Sequence, residues 1–318
     1  MAIPSIPMVD FSCFFRKDDG NGIGKQKIID EVGKACSEYG FFQVVNHGVP
    51  LDLMNRALEL SETFFELSME EKLKCSPIST LNPAGYGRMG SYIGNNERLR
   101  MCAPGSSCNV FPCSPTGYRK TMEEIFKEFE KVSELVESII NEFLGLPTGF
   151  LGQYNNERTR DTMIAWHYPP ATDITSNGRD EHQDSNCITF VLQDDVVGLE
   201  VKKDKQWIPI PPVKGSLVVN IGVILQVLSN KRFEAARHRV VKHRGRSRNS
   251  IVFFNLLGTD KWVEPLPQLT REIGEAPKYR GFVYKEFIEV RGKAAAVNPP
   301  SREDLTGVDV YEISTKED

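Results

Sequence analysis

The residue types best suited to metal chemistry in this chain are two histidines and an aspartate. His182 and Asp184 are separated by a single residue, and His238 follows in a later part of the sequence. Side chains two positions apart on a β-strand point to the same side, so His182 and Asp184 can face one ion together. Two imidazoles and one carboxylate bind a divalent metal through one face of its coordination sphere, and the open positions can admit a co-substrate and O₂ to Fe(II). Zn²⁺ accepts the same ligand types and stays an alternative at this point.

The third ligand has to come from a small set, because the chain contains five histidines. His238 begins an apolar run that continues over 239–241, which is typical of a strand facing the interior of a barrel. His243 lies five residues later in a basic turn and is predicted to face the opposite way. We therefore expect His238 to join His182 and Asp184.

Arg248 and Ser250 form a second pair at strand spacing, ten residues beyond His238. A guanidinium is a planar fork that binds a carboxylate through two hydrogen bonds, and it stays charged inside a pocket. The serine hydroxyl adds a neutral donor on the same side. Such a pair predicts a clamp for a dicarboxylate, and its position after a metal-binding histidine favours iron over zinc.

Composition and charge restrict the class of protein. The chain has 318 residues, 40% of them hydrophobic, and a formal net charge of −4, which argues against nucleic acid as the main partner. The basic run at 242–248 is interpreted as a solvated turn. No apolar run reaches the roughly 18–20 residues of a membrane span, and residues 1–11 do not resemble a secretion signal. Seven scattered cysteines favour free thiols, so we expect a cytoplasmic protein.

The N-terminal half is predicted to be largely helical. Residues 6–11 indicate a short strand, 25–39 a helix that Gly40 ends, and 41–46 a second strand. Two amphipathic helices are predicted at 51–67 and 121–144. A connection rich in Gly, Ser and Pro separates them at 76–116, a length more typical of functional than of ordinary loops.

Beyond residue 162 the sequence changes to short apolar runs separated by turns, which favours a β-sandwich or barrel over alternating β/α units. We expect a helical or mixed N-terminal region at 1–120, a β-core at 160–262, and a C-terminal tail at 263–318 that packs on the core or is partly mobile. The predicted strands are 163–168, 187–193, 199–201, 207–210, 216–221, 239–241 and 250–256.

Taken together, these fragments resemble the plant-type 2-oxoglutarate- and Fe(II)-dependent dioxygenases over nearly the whole chain. The resemblance implies a mainly β fold with α, in which a distorted double-stranded β-helix, or jelly roll, is flanked by helices of the N-terminal half. The matching motifs are IPMVD at 6–10, GFFQVVNHGV at 40–49, YPP at 168–170, HQD at 182–184, LQDDVVGLEV at 192–201, LSN at 228–230, HRVV at 238–241 and RNS at 248–250.

The resemblance also implies roles for individual residues. Fe(II) is expected on the three candidate ligands, and the distal carboxylate of 2-oxoglutarate on Arg248, Ser250 and Tyr168. Phe254 falls where related enzymes place an aromatic ring beside the substrate, although core packing explains it equally well. The implied partners are O₂, a small-molecule substrate and ascorbate as reductant, in a monomeric enzyme.

Two departures from the family pattern concern the pocket rather than the iron. Trp166 stands where the family commonly has Asn, and Val223 stands where it commonly has Asp. Trp166 thereby becomes a candidate substrate contact. Arg88, Arg98 and Arg100 could meet an acidic substrate or form a solvated surface.

The expected reaction is hydroxylation, desaturation or demethylation of a plant specialised metabolite or hormone, with release of succinate and CO₂. Three alternatives stay open. They are a related oxidase that uses ascorbate in place of 2-oxoglutarate, a non-catalytic small-molecule binder on the same scaffold, and a zinc hydrolase.

Overall fold

The computed structural model describes residues 5–16, 22–78, 84–88, 95–172, 177–296 and 308–313. The helices in these ranges are α1 (Ile23–Glu38), α2 (Leu51–Glu66), α3 (Met69–Leu73), α4 (Tyr118–Phe143), α5 (Phe150–Tyr154), α6 (Val223–Leu228) and α7 (Tyr284–Ala296). The strands are β1 (Met8–Asp10), β2 (Phe41–Val45), β3 (Gly85–Arg88), β4 (Glu97–Cys102), β5 (Thr162–Tyr168), β6 (Asn177–His182), β7 (Ile188–Gln193), β8 (Leu199–Lys203), β9 (Gln206–Pro209), β10 (Leu217–Ile221), β11 (His238–Val241), β12 (Arg248–Asn255), β13 (Trp262–Val263) and β14 (Phe282–Val283).

Two sheets form the β-core. The larger sheet has the strand order β1-β2-β10-β7-β12-β5-β4-β3, and the smaller one has the order β6-β11-β8-β9. Strands that are far apart in sequence lie side by side, as in a jelly roll, and the pairing is antiparallel except between β1 and β2. The predicted fold class is therefore confirmed.

The central strands of the larger sheet are buried on both faces, which explains their nearly continuous apolar sequences. One set of side chains packs against the N-terminal helices, as Phe253 of β12 does against Phe126 and Phe129 of α4 with ring centroids 5.0 and 5.8 Å apart. The alternate set, including Ile164, Trp166 and Tyr168 of β5, packs with residues of the smaller sheet in a second apolar cluster. The interior between the sheets is thus where a pocket can form.

Most predicted elements are found within a few residues of their expected bounds. Gly40 ends the first helix with a left-handed φ of 64°, and a Cβ there would lie 2.1 Å from the carbonyl oxygen of Glu234. Glycine is needed at this position because the backbone is left-handed and closely approached. None of the helices in the described ranges is long and apolar enough to cross a membrane.

Two expectations were wrong. The segment 76–116 is not simply a connection, because β3 and β4 lie within it and extend the larger sheet beside β5. These strands are short and contain several polar residues, so an apolar pattern did not reveal them. β6 was also missed for the same reason, although it carries His182. Residues 79–83 and 89–94 of the connection lie outside the described residues.

The C-terminal region contributes α7, which packs against the core. Tyr284 and Phe287 are each 2% exposed. The Tyr284 hydroxyl donates a hydrogen bond of 3.1 Å to the carbonyl of Ser185, just after the predicted metal ligands. This helix therefore supports the turn that follows β6. The boundaries proposed at 120, 160 and 262 stay predictions.

Gly222 provides a test of how tightly that turn is packed. An added Cβ would lie 2.0 Å from the carbonyl oxygen of Asn186, although the φ of −90° suits any residue. Gly222→Ala should lower the free energy of unfolding by about 1–3 kcal/mol because of this overlap. Gly24→Ala is the matched control, since its Cβ would meet nothing closer than 3.8 Å. It should be neutral or stabilise helix α1 by up to about 1 kcal/mol. Equal urea midpoints for the two variants would contradict the packing argument.

Candidate active site

Two paired strands of the smaller sheet bring two histidines together. His182 ends β6 and His238 begins β11, and the two residues are direct partners in the antiparallel register. Their ring centroids lie 4.2 Å apart. Because directly opposite residues project to the same face of a sheet, both imidazoles point into the interior between the sheets.

Asp184 joins them from the turn after β6. Its Oδ1 lies 3.5 Å from Nε2 of His182 and 3.7 Å from Nε2 of His238. One ligand atom from each of the three residues falls within 4.8 Å of the others. The three predicted ligands are therefore assembled around one point, as a metal site requires.

Hydrogen bonds hold the three side chains in the orientation that a metal needs. The Nδ1 atoms of His182 and His238 lie 2.8 and 3.2 Å from the carbonyls of Asp180 and Ala236. A carbonyl only accepts, so each Nδ1 carries the proton and each Nε2 presents its lone pair. Outer hydrogen bonds of this kind fix the tautomer of metal-binding histidines.

The other carboxylate oxygen of Asp184 is held separately. Its Oδ2 accepts hydrogen bonds from the hydroxyl of Thr189 at 2.6 Å and the amide of Asn220 at 2.9 Å. Oδ1 is thereby aimed at the two histidines. Val223, which follows Asn220-Ile221-Gly222, is one of the two departures from the family pattern. Its backbone N–H donates a hydrogen bond of 2.9 Å to the carbonyl of Asp184. The departure leaves the support of this aspartate intact.

The protonation states also suit metal binding. Burial, together with the nearby His238 and Arg179, lowers the pKa of His182 to about 4, although Asp184 acts in the opposite direction. The exposed part of the His182 side chain, 21% of it, faces the cavity that the two sheets line. Burial alone would raise the pKa of Asp184, but the two imidazoles and the Thr189 hydrogen bond hold it below its usual value. At neutral pH the site therefore offers a neutral His182 and a charged carboxylate.

The predicted clamp lies on the larger sheet. In the register of β12 with β5, Arg248 pairs with Tyr168 and Ser250 pairs with Trp166. The Arg248 guanidinium donates to Ser250 Oγ at 3.3 Å and to Gln193 Oε1 at 2.9 Å, and its carbon lies 5.5 Å from the Tyr168 ring centroid. Burial raises the pKa of Tyr168, so its hydroxyl stays protonated and can donate.

Arg248 has the environment of a residue that binds an anion. It is 2% exposed, and burial lowers its pKa. Its Nε has no hydrogen-bond partner, and no carboxylate of the described residues lies within 4.0 Å of its nitrogens. A buried charge without a counter-ion is costly. The carboxylate of a bound dicarboxylate would supply the missing partner, so the residues present fit 2-oxoglutarate.

A single cavity of about 190 Å³ connects the clamp and the metal site. Both of the residues predicted to contact substrate, Trp166 and Phe254, line it. Trp166 stacks on Tyr168 of the clamp with ring centroids 5.9 Å apart. The predicted metal ligands, clamp residues and substrate contacts thus share one cavity, whereas Arg88, Arg98 and Arg100 are not among its lining residues.

The other histidines lie elsewhere in the fold. His47 is buried with Nε2 3.1 Å from the carbonyl of Gly215, as expected of a structural residue. His167 bonds Asn249 at 2.8 Å through Nδ1, and His243 accepts backbone N–H groups in the basic turn. Among the described residues, His182, Asp184 and His238 form the cluster suited to a metal.

Several residues of the site were not anticipated from the sequence. Thr189, Asn220 and Gln193 support the ligands and the clamp, and Arg179 and Arg291 line the cavity. An Asn and a Thr inside apolar strands are unusual enough to signal a buried polar contact. The sequence offered no comparable signal for Arg291, which comes from α7.

Two family models match separate parts of the chain. Residues 6–104 match the model described as the non-haem dioxygenase in morphine synthesis N-terminal domain. Residues 159–256 match the 2OG-Fe(II) oxygenase superfamily, and this range contains both histidines, Asp184 and the clamp. Together the two models cover more than half of the chain.

Relatives with named activities match over most of their length. 1-Aminocyclopropane-1-carboxylate oxidase 5 of Arabidopsis thaliana is 32% identical, over 90% of this chain and 94% of its own. Hyoscyamine 6-dioxygenase of Hyoscyamus niger is 33% identical, over 83% of this chain and 81% of its own. Nearly equal identity to enzymes with such different names means that identity alone does not select a substrate.

Solved structures give the same result for the fold. The structure of JOX2 in complex with 2OG, Fe and JA is similar with a TM-score of 0.81 and 25% identity, and it covers 98% of this chain and 91% of its own. The two family models, which cover more than half of the chain, and two relatives above 30% identity show the family. The chain belongs to the plant-type 2-oxoglutarate- and Fe(II)-dependent oxygenases, a family of oxidoreductases that use Fe(II) and 2-oxoglutarate.

Proposed function

We propose that this enzyme oxidises a C–H bond of a small plant metabolite or hormone while it converts 2-oxoglutarate and O₂ to succinate and CO₂. The observation that carries the proposal is the shared cavity, in which three ligand atoms converge at one end and the buried Arg248 lacks a counter-ion at the other. Hydroxylation, desaturation and demethylation are all compatible with this arrangement. Bound Fe(II) would supply the activation of O₂.

The residues of the cavity have separate tasks in this proposal. His182, Asp184 and His238 would hold Fe(II), and the hydrogen bonds to Asp184 Oδ2 keep its other oxygen directed at the metal. Arg248, Ser250 and Tyr168 would bind the distal carboxylate of 2-oxoglutarate. Trp166 and Phe254 form apolar walls that exclude water and orient the substrate.

A second candidate is an oxidase of the same family that uses ascorbate in place of 2-oxoglutarate. The similarity to an aminocyclopropanecarboxylate oxidase favours it. The unpartnered Arg248 favours 2-oxoglutarate as the co-substrate instead.

We also propose that ascorbate serves as a reductant in the main reaction, and that the enzyme is a cytosolic monomer. All seven cysteines are thiols, which suits a reducing compartment, and size-exclusion chromatography with light scattering would test the monomer.

The first prediction concerns co-substrate turnover. With Fe(II), O₂ and ascorbate, the protein should convert 2-oxoglutarate to succinate even without its substrate, at a low rate. His182→Ala should abolish this reaction because one metal ligand is lost, whereas His243→Ala, in the basic turn, should retain it. Succinate is measured by mass spectrometry. Ascorbate consumption and O₂ uptake without succinate would favour the second candidate, and no O₂ uptake would indicate a non-catalytic binder.

The clamp is tested by binding rather than turnover. Arg248→Ala should weaken 2-oxoglutarate binding by about 2–5 kcal/mol, because one partner of a buried charge pair is removed. Calorimetric titration under anaerobic conditions measures the affinity. Arg246→Ala is the control, since Arg246 forms an exposed ion pair with Asp195 on the surface. Unchanged 2-oxoglutarate affinity in Arg248→Ala would contradict the assignment.

The support of Asp184 should influence metal affinity without changing a ligand. Thr189→Val removes the hydroxyl that donates to Asp184 Oδ2 and keeps the side-chain shape. The affinity for Fe(II) should fall about 10–100-fold, the usual effect of losing an outer hydrogen bond. Thr63→Val, at an exposed helical position, serves as the control. Equal metal affinities in competition with a chelator would show that Thr189 is not a positioning residue.

A further inference from the structure

Two arginines of β4 lie on the inner face of the larger sheet. Arg98 and Arg100 pair with Trp166 and Ile164 of β5, which belong to the apolar cluster between the two sheets. Directly opposite residues project to the same face of a sheet, so both arginines share the face of these partners. The intervening Leu99 packs instead in the cluster on the helical side. The face that carries Arg98 and Arg100 is therefore the one that holds the active-site cavity.

The same two rows of side chains continue into the cavity. On β12, the residues opposite Trp166 and Ile164 are Ser250 and Val252. Trp166, Ser250 and Val252 all line the cavity. Neighbouring strands lie about 4.8 Å apart, so β4 is about 10 Å from β12. The two arginines thus stand beside the cavity, at a distance that a small molecule can span.

Neither arginine has an acidic partner. Among the residues that the structure describes, no carboxylate oxygen lies within 4.0 Å of the guanidinium of Arg98 or Arg100. The Nε atom of Arg100 is buried without a hydrogen-bond partner. Glu97 is the nearest acid in the sequence, but it lies on the other face and pairs with Lys72 at 2.8 Å. Both guanidiniums are half-buried charges that lack a counter-ion.

The groups around the two guanidiniums increase the benefit of a bound anion. Burial, together with Arg100 and Arg179, lowers the pKa of Arg98. Burial also lowers the pKa of Arg100, and the thiols of Cys102 and Cys108 offset this in part. A charge removed from water without a partner is costly. An anion between the two guanidiniums would reduce that cost.

The neighbouring strand β3 leaves space beside the arginines. Its residues opposite them are Gly85 and Gly87, so β3 adds no side chain to this face. The φ of Gly87 is not positive, yet a Cβ there would lie 3.3 Å from Nε of Arg98. A side chain would therefore crowd the guanidinium. The sequences at 79–83 and 89–94, before and after β3, contain neither Asp nor Glu.

Two aromatic rings separate these arginines from the 2-oxoglutarate clamp. The guanidinium carbon of Arg98 lies 5.9 Å from the Trp166 ring centroid, and Trp166 stacks on Tyr168 with centroids 5.9 Å apart. On the far side, the guanidinium carbon of Arg248 lies 5.5 Å from the Tyr168 centroid. An anion bound to Arg98 is therefore different from the carboxylate proposed for Arg248.

We propose that Arg98 and Arg100 bind an oxyanion of the substrate, which is then a small acid whose apolar body lies along Trp166 and reaches the metal site. Alternate residues of a strand are about 7 Å apart, so both guanidiniums can contact one group. A carboxylate and a sulfate or phosphate ester all match the fork of a guanidinium. This inference rests on the proposed function, because the metal site is the place that the body has to reach.

Pairs of probes that differ in charge test the inference. 2-Naphthylacetate and 4-phenylbutanoate are each compared with the corresponding primary amide, and 2-naphthyl phosphate is compared with 2-naphthol. Binding is measured by calorimetry on the full-length protein, loaded anaerobically with Fe(II) and saturating 2-oxoglutarate, so that the clamp is already occupied. At least one anion should bind about tenfold or more tightly than its neutral counterpart, since loss of a charged partner usually costs this much or more. The pair with the larger ratio identifies the oxyanion.

Variants assign the preference to the two arginines. Arg98→Gln and Arg100→Gln should each weaken binding of the anion about tenfold or more and leave binding of the neutral probe unchanged. Arg98→Lys should retain part of the preference, because the charge is kept. Arg88→Gln is the matched control: Arg88 lies on β3 opposite Glu97, so it projects to the other face. It should behave as the wild type although it loses the same charge.

A second pair of variants fills the space beside Arg98. Gly87→Asp would place a carboxylate next to this guanidinium, and Gly87→Asn would place a neutral group of the same size there. Gly87→Asp should weaken binding of the anion about tenfold more than Gly87→Asn does, because it supplies an internal counter-ion. Retained 2-oxoglutarate affinity in all variants shows that the fold and the clamp are intact.

The outcomes separate this inference from the function on which it rests. Succinate formation with equal binding of charged and neutral probes, or with no binding of any pair, would overturn the acidic substrate and leave the oxygenase proposal standing. A preference for anions that persists in both Arg98→Gln and Arg100→Gln would overturn the assignment to these residues. Absence of succinate formation and of 2-oxoglutarate binding in the wild type would instead overturn the proposed function.

Discussion

The site depends on one register, the antiparallel pairing that sets His182 of β6 directly opposite His238 of β11. A shift of that pairing by one residue would turn one imidazole to the other face of the sheet. Asp184 can complete the cluster because β6 ends at His182 and the chain turns immediately. The packing around this turn, including Gly222 against Asn186 and Tyr284 against Ser185, therefore sets the geometry of the proposed metal site.

Burial disfavours charged side chains in both halves of the cavity, but the neighbouring groups differ. At the metal site burial favours a neutral His182, while the two imidazoles and the Thr189 hydrogen bond keep the Asp184 carboxylate charged. At the clamp burial lowers the pKa of Arg248, and Tyr168 and Asp194 offset this only in part, because no carboxylate of the described residues lies within 4.0 Å of the guanidinium nitrogens. A site of this kind is poorly compensated by the protein itself. A divalent cation at one end and a dicarboxylate at the other would lower its free energy, and these are the ligands proposed for it.

Much of this could be predicted from the sequence because it depends on local periodicity. The spacing of Arg248 with Ser250 places both on one side of β12. Asp184 was expected on one strand with His182 but lies in the turn after β6, and both pairs nevertheless line one cavity. β3, β4 and β6 were missed because their polar residues hide the strand pattern. Arg291 could not be predicted, since its position depends on how α7 packs against residues more than a hundred positions earlier.

The central claim is that His182, Asp184 and His238 hold Fe(II) beside a 2-oxoglutarate bound by Arg248. Its most direct test is the visible absorption spectrum of the anaerobic protein during addition of Fe(II) and then 2-oxoglutarate. The wild type should develop a weak charge-transfer band that requires both additions and that is lost in Asp184→Ala. Absence of the band in the wild type, or its persistence in Asp184→Ala with unchanged intensity, would contradict the account.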